Sequence, residues 1–235
     1  MDPDPRGHLA LALDIDDLSA ARDMARALSP WFGVAKIGLE LFGGFGPAAV
    51  FLLLEEGYQV FLDLKLHDIP TTVGRAARVL GTLGVTYTTV HTQGGGAMLE
   101  AAVAGMAEGA AKGGGPAPVV LGVTVLTSDT DAPPDVLRAR ATLAANAGCG
   151  GVVCAAGDLP VIRAAAPGLM TVVPGIRPAG ADADDQARVA TPAGAIAAGA
   201  SLLVVGRAVT GRADPPRAAE ALAAEVAAAL QALPG

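Results

Sequence analysis

The chain is poor in the residues that build metal clusters, disulfide frameworks and nucleic-acid surfaces. Only two of its 235 residues are cysteine and three are histidine. Cys149 and Cys154 stand in Cys-Gly-Gly-Val-Val-Cys, a spacing that matches no zinc or redox signature, so both read as small buried hydrophobes. The histidines are too few and too scattered along the chain for a metal cluster, and no metal site is expected. No apolar run approaches the roughly 20 residues that a bilayer span needs. The N-terminal Met1-Asp2-Pro3-Asp4-Pro5-Arg6 is polar and partly acidic, unlike a secretory leader, so a soluble cytoplasmic protein is expected. Sixteen basic residues against 23 acidic ones give a net charge of −7, and the basic ones are scattered. That argues against a nucleic-acid or anionic-membrane surface. It leaves room for an anionic small molecule, which backbone N–H groups and one or two arginines can hold. Aromatics are only 3% of the chain; together with the abundance of Ala and Gly this reflects a compositional bias and carries no functional reading.

What the sequence does have is apolar content, 52% hydrophobic with 17% charged, ample for one sizeable buried core. Short apolar or β-branched runs alternate with helical stretches from end to end. The runs are Leu9–Asp14, Val34–Gly38, Tyr58–Lys65, Val85–His91, Val119–Leu126, Gly151–Cys154, Met170–Pro174 and Ser201–Val205. Helices are expected at Leu18–Leu28, Pro47–Glu56, from Pro70, to about Lys112, at Pro134–Asn146, to Ala166, near Gln186–Ala198 and from Pro215. Continuous apolar strands suit a parallel sheet covered on both faces. Eight such units at a spacing of roughly 25 to 30 residues, with no linker between them, predict one α/β domain over residues 1–235, a closed (β/α)8 TIM barrel.

Such barrels place their sites at the C-terminal strand ends. Asp14, Lys36, Asp63, Lys65, His91, Thr127, Arg177 and Arg207 all fall at or just after a run's end. Asp63 and Lys65 are two apart on one strand, so their side chains share a face, opposite Leu64 and Leu66. A charged pair there needs partners, which Asp68 and Lys36 are positioned in sequence to supply. The competing reading of the pair is a structural ion network at the barrel rim. Arg177 and Arg207 follow the last two strands, where many barrels bind phosphate with help from a glycine such as Gly206 and a helix N-terminus; two solvated surface arginines are the competing reading. The polar stretch between Arg177 and Arg188 is long for a barrel loop and reads as a lid or as an ordinary surface loop.

Asp63-x-Lys65-x-His67-Asp68-Ile69-Pro70-x-Thr72 resembles the signature of the orotidine 5′-phosphate decarboxylase family, whose reaction is the last step of de novo UMP synthesis. Further blocks agree in order: Leu13-Asp14, Lys36-Ile37-Gly38, His91-x-x-Gly94-Gly95, Leu126-Thr127-Ser128, Pro174-Gly175-Ile176-Arg177-Pro178 and Val205-Gly206-Arg207. Thr92-Gln93 departs from the smaller residues expected after the strand-four histidine, at no position with an implied catalytic role. The resemblance implies a cofactor-independent enzyme in which Lys65 donates a proton to C6 of the pyrimidine. Asp63 sits beside the substrate carboxylate, with Lys36 and Asp68 completing an alternating charge array. Substrate binding is implied for Asp14 and Lys36 at the ribose and for Thr127 and Ser128 at the pyrimidine edge. Arg177, Gly206 and Arg207 hold the 5′-phosphate, Gln186 bridges phosphate and base, and Ile69, Thr72 and Pro174 complete the binding set. Asp68 and Thr72 are implied to enter the neighbouring subunit's site, which makes a homodimer obligatory.

The implied roles have a physical logic. A C6 carbanion lies in the ring plane, where the π system cannot delocalise it, and a fixed ammonium can stabilise and then quench it. Asp63 beside the carboxylate disfavours the bound ground state, and remote phosphate binding energy can organise the site. Two other readings compete. One is a relative on the same barrel, a metal-dependent sugar-phosphate decarboxylase or aldolase resembling 3-keto-L-gulonate 6-phosphate decarboxylase or hexulose-phosphate synthase. Those use Mg2+ and carry an acidic residue where this chain has Lys36. The other is a non-catalytic barrel that binds a nucleotide or a partner protein.

Overall fold

Alternation inside the first strand shows how this sequence closes a barrel. In β1 (Leu9–Leu13) the leucines Leu9, Leu11 and Leu13 join the outer core under the helices, whereas Ala10 and Ala12 face the barrel interior. All five are buried, as a parallel strand covered on both sides requires. The computed structural model describes residues 4–126, 128–129, 133–178 and 190–233.

The strands β1, β2 (Val34–Ile37), β3 (Gln59–Leu66), β4 (Tyr87–His91), β5 (Val119–Val123), β6 (Gly151–Val153), β7 (Met170–Val173) and β8 (Leu202–Val205) pair in sequence order, and β1 closes on β8. Every pairing is parallel. The fold is the expected (β/α)8 barrel. Helices α1 (Leu18–Leu28), α3 (Pro47–Glu55), α4 (Pro70–Gly81), α5 (Gly96–Gly113), α6 (Pro134–Asn146), α7 (Leu159–Ala165), α8 (Pro192–Ala197) and α10 (Pro215–Gln231) pack outside it. Two further helices follow strands where none was expected: α2 (Leu39–Phe45) after β2 and α9 (Arg207–Thr210) after β8. The helix expected from Gln186 begins, among the described residues, at Pro192.

Two features fix the site's frame. The barrel interior is plugged by side chains such as Phe61, Leu121, Val172 and Leu202, and Phe61 meets Tyr87 edge-on at 6.1 Å, a favoured aromatic geometry. The second is the seating of α4, the helix that follows the signature segment. It lies backbone-to-backbone on α5, where a Cβ added to Gly109 would stand 2.2 Å from the Arg78 carbonyl oxygen and one added to Gly105 2.4 Å from that of Gly74. No larger residue fits either position without moving the helices apart.

Candidate active site

β3 is the longest strand, and its last four residues carry the reactive pair. Across Leu62 to Leu66 its register against β4 shifts: Leu62 pairs with Thr88 and Leu66 with Val90, so four steps on β3 match two on β4. The excess is even, so the inward–outward alternation survives the irregularity. Phe61, Asp63 and Lys65 face the cavity while Leu62, Leu64 and Leu66 pack outward. Lys65 also takes φ = +50°, the one positive φ among the described residues that are not glycine. That conformation costs an L-residue roughly 1–2 kcal/mol and is characteristic of functional sites.

Charges alternate along a row that crosses three strand ends. Lys36 Nζ is 3.2 Å from Asp14 Oδ1 and 3.8 Å from Asp63 Oδ2. Lys65 Nζ donates to both Asp63 oxygens at 2.9 Å. The inner members Lys36 and Asp63 leave only 11% and 13% of their side chains exposed, against 34% for Lys65 and 60% for Asp14. Charges in a partly buried wall are screened less than exposed ones, whose pairs contribute only ~0.2–1 kcal/mol. Partial burial therefore separates this row from surface pairs such as Arg22–Glu55. Gly38 lets the chain pass close by: a Cβ there would lie 3.1 Å from Asp14 Oδ1 and 3.2 Å from Lys36 Nζ.

The row forms one wall of a cavity of about 290 Å³ at the C-terminal strand ends. Of the residues singled out from sequence, Asp14, Lys36, Asp63, Lys65, Ser128, Pro174, Arg177, Gly206 and Arg207 all line it. Arg177 is buried, with Nη1 donating to the Ile176 carbonyl at 3.1 Å, and Arg207 is exposed. Apolar side chains, Val125, Leu126 and Val153 among them, make up much of the remaining lining. Asp68, Ile69 and Thr72 do not line this cavity; all three are exposed, Ile69 by 66%. The partnering of Lys65 by Asp68 that the spacing suggested is therefore not made within one chain. Asp68 Oδ1 instead accepts from the Ile69 amide at 2.6 Å. Thr127, Gln186 and most of the segment between Arg177 and Arg188 lie outside the described residues.

Sequence reasoning missed Thr89 on β4 and, although it placed His91 at the strand end, gave that histidine no role. Thr89, fully buried, donates its hydroxyl to Asp63 Oδ1 at 2.8 Å and accepts from the Lys65 amide at 2.8 Å. His91, two residues on and facing the same way, stacks on His67 with ring centroids 5.4 Å apart. Burial chiefly, and then the neighbouring His67, Arg140 and Lys65, lower the His91 pKa below its ordinary value. The available signal was parity: Thr89 and His91 share the inward face of β4. Among the described residues no three His, Cys, Asp or Glu side chains are grouped to hold a metal ion, and no helix is long and apolar enough to cross a membrane.

The arrangement holds one ammonium against a carboxylate in a partly enclosed cavity that also contains two guanidinium groups. It can bind an anion and present a fixed positive charge and a proton to a second part of the same ligand. Comparison with known proteins gives a consistent picture. The sequence pattern of the Orotidine 5′-phosphate decarboxylase / HUMPS family matches residues 7–222. The orotidine 5′-phosphate decarboxylase of Anaeromyxobacter sp. is 49% identical over 214 residues, covering 86% of this chain and 91% of the relative. That of Moorella thermoacetica is 47% identical over 212 residues, covering 85% and 84%. The crystal structure of orotidine 5′-phosphate decarboxylase from Lactobacillus acidophilus superposes with a TM-score of 0.78 at 34% identity, covering 93% of this chain and 98% of that one.

Proposed function

The chain belongs to the orotidine 5′-phosphate decarboxylase / HUMPS family, and on that premise we propose that it converts orotidine 5′-phosphate to UMP and CO2, the last step of de novo UMP synthesis. The observation that carries the reading is the Asp14–Lys36–Asp63–Lys65 row sharing one cavity with Arg177 and Arg207.

When CO2 leaves C6, the bonding electron pair stays on carbon in the ring plane. Lys65 supplies a fixed positive charge beside that carbon and then delivers the proton that forms the new C–H bond. Asp63 lies against the departing carboxylate and disfavours the bound substrate relative to the transition state. Lys36 holds Asp63 from the other side and, with Asp14, takes the ribose hydroxyls. Ser128 and Thr127 meet the pyrimidine edge, beside Pro174. Arg177, Gly206 and Arg207 hold the phosphate, with Gln186 bridging phosphate and base. The roles of Thr127 and Gln186 rest on the sequence pattern alone. Phosphate binding, remote from C6, supplies energy that organises the reacting centre. The chemistry as written uses no electron sink, metal or organic cofactor.

The active unit is a homodimer in which Asp68 and Thr72 enter the neighbouring subunit's site. Two observations support this. Both are exposed and lie off their own cavity, and among the described residues Asp63 is the only carboxylate within ion-pair reach of Lys65. The reading takes residues 1–235 as one barrel domain acting in the cytoplasm on a small molecule, without nucleic acid or membrane. The metal-dependent alternative gains nothing from the geometry, since the Lys36 ammonium stands 3.8 Å from Asp63 Oδ2, where it repels a divalent cation.

The test is a spectrophotometric assay for loss of orotidine 5′-phosphate in EDTA. Turnover in the chelator is the expected result. No turnover, or turnover only after Mg2+ is restored, overturns the reading.

A further inference from the structure

The decarboxylase reading gives roles to the charged row but none to the β4 hydroxyl bound to two of its parts. We propose that Thr89 is a positioning residue for the reaction, fixing at once the carboxylate of Asp63 and the backbone of Lys65. The inference rests on that reading and extends it to a residue that touches no substrate.

Four observations meet at this side chain. Thr89 lies between Thr88 and Val90, the two β4 residues that bracket the register shift, so it faces the stretch of β3 with excess residues. Its hydroxyl has one proton, donated to Asp63 Oδ1 at 2.8 Å, and a lone pair that accepts the Lys65 N–H at 2.8 Å. Lys65 is held at φ = +50°, a conformation that persists only where its surroundings enforce it. Thr89 is completely buried, so water does not replace either bond, and its β-branch restricts the hydroxyl to few rotamers. One oxygen therefore links the orientation of the carboxylate to the position from which the lysine side chain departs. A serine keeps both bonds with more rotational freedom; a valine keeps the shape and loses both.

Thr88, the preceding residue, supplies an internal control. It is equally buried, faces the outer core, and its hydroxyl has no partner among the described residues. Thr88 shows what burial alone gives a β4 threonine, and Thr89 differs from it in its two bonds.

The experiment compares wild type, Thr89→Val, Thr89→Ser and Thr88→Val in steady-state decarboxylation of orotidine 5′-phosphate and in calorimetric UMP binding. Thr89→Val is expected to lower kcat by roughly 10- to 100-fold, the effect of losing a buried hydrogen bond to a charged group. UMP affinity stays close to wild type, because ribose and phosphate contacts are untouched. Thr89→Ser recovers most of kcat, and Thr88→Val keeps it. If Thr89→Val does not fold, as judged by circular dichroism, Thr89→Cys replaces it; the thiol is a weak donor and acceptor, and its kcat is expected well below that of Thr89→Ser. The proposal is overturned if Thr89→Val turns over like wild type, if serine is as impaired as valine, or if Thr88→Val loses as much. A loss confined to KM overturns it as well. A wild-type enzyme without turnover overturns the decarboxylase reading itself, and this role with it; an active wild type beside an equally active Thr89→Val removes only the role of Thr89.

Discussion

The Lys65 ammonium donates to both carboxylate oxygens of Asp63 at 2.9 Å, and Asp63 is in turn 3.8 Å from Lys36. Asp63 thus separates two positive charges in a cavity wall where solvent screens little. If its charge also repels the substrate carboxylate, Asp63→Asn separates binding from chemistry. The amide keeps an acceptor for Thr89 and removes the charge. Turnover is expected to fall by roughly 100-fold or more, while orotidine 5′-phosphate binds more tightly relative to UMP. Equal changes in the affinities of the two nucleotides would show that Asp63 acts on the lysine alone.

Arg207 gives the cleaner test of phosphate binding, because it is exposed whereas Arg177 is buried. Arg207→Ala is expected to raise KM for orotidine 5′-phosphate by roughly 10- to 100-fold, the scale of a charge-assisted hydrogen bond. Calorimetry with inorganic phosphate and with uridine separates the contributions. Phosphate affinity drops and uridine affinity does not; a loss for both would place Arg207 elsewhere in the site.

The proposed sharing of the site between subunits predicts complementation. Lys65→Ala and Asp68→Ala are each expected to be inactive alone. After subunit exchange, one of the two sites in each mixed dimer is free of both changes, so activity returns. Exchange demonstrated by native mass spectrometry with no recovery would count against a contribution of Asp68 in trans.

His91 makes stability depend on pH. Its folded-state pKa lies below the ordinary value, chiefly through burial and then through His67, Arg140 and Lys65. The unfolded chain therefore binds the proton more readily, around pH 6.5. Stability from the neutral ring is complete above about pH 6.5 and declines as pH falls toward the lowered value, by at most about 1.4 kcal/mol per pH unit for one proton. Urea unfolding at pH 7.5, 6.5 and 5.5 measures the slope. His91→Gln, which does not titrate there, is expected to flatten it; an unchanged slope would assign the effect to other groups.

Much of this site was legible in the sequence because strand parity and strand ends are local properties. Asp63 and Lys65 share a face through their spacing of two, and the Pro70 and Pro134 helix starts lie where proline favours them. What stayed hidden depends on pairing between strands. The register shift opposite Thr88–Val90 has no local signature, and Thr89, being β-branched, reads as an ordinary strand residue. The shift preserves parity only because its excess is even, so the expectation for Lys65 held for a reason the sequence did not display. Helix α2 was missed because Gly43-Gly44 interrupts a helical pattern that the barrel's packing nonetheless stabilises. Asp68 looked like a partner for Lys65 from three residues away, yet the chain turns at Ile69 into α4 and carries it outward.

The central claim is that Lys65 stabilises and protonates C6 and does little for binding. The measurement that tests it most directly is turnover and UMP affinity for wild type and Lys65→Ala side by side. The account predicts a loss in kcat on the order of 1,000-fold or more, with UMP binding largely intact. Substantial turnover by Lys65→Ala, or a loss of UMP binding that matches the loss of turnover, would contradict it.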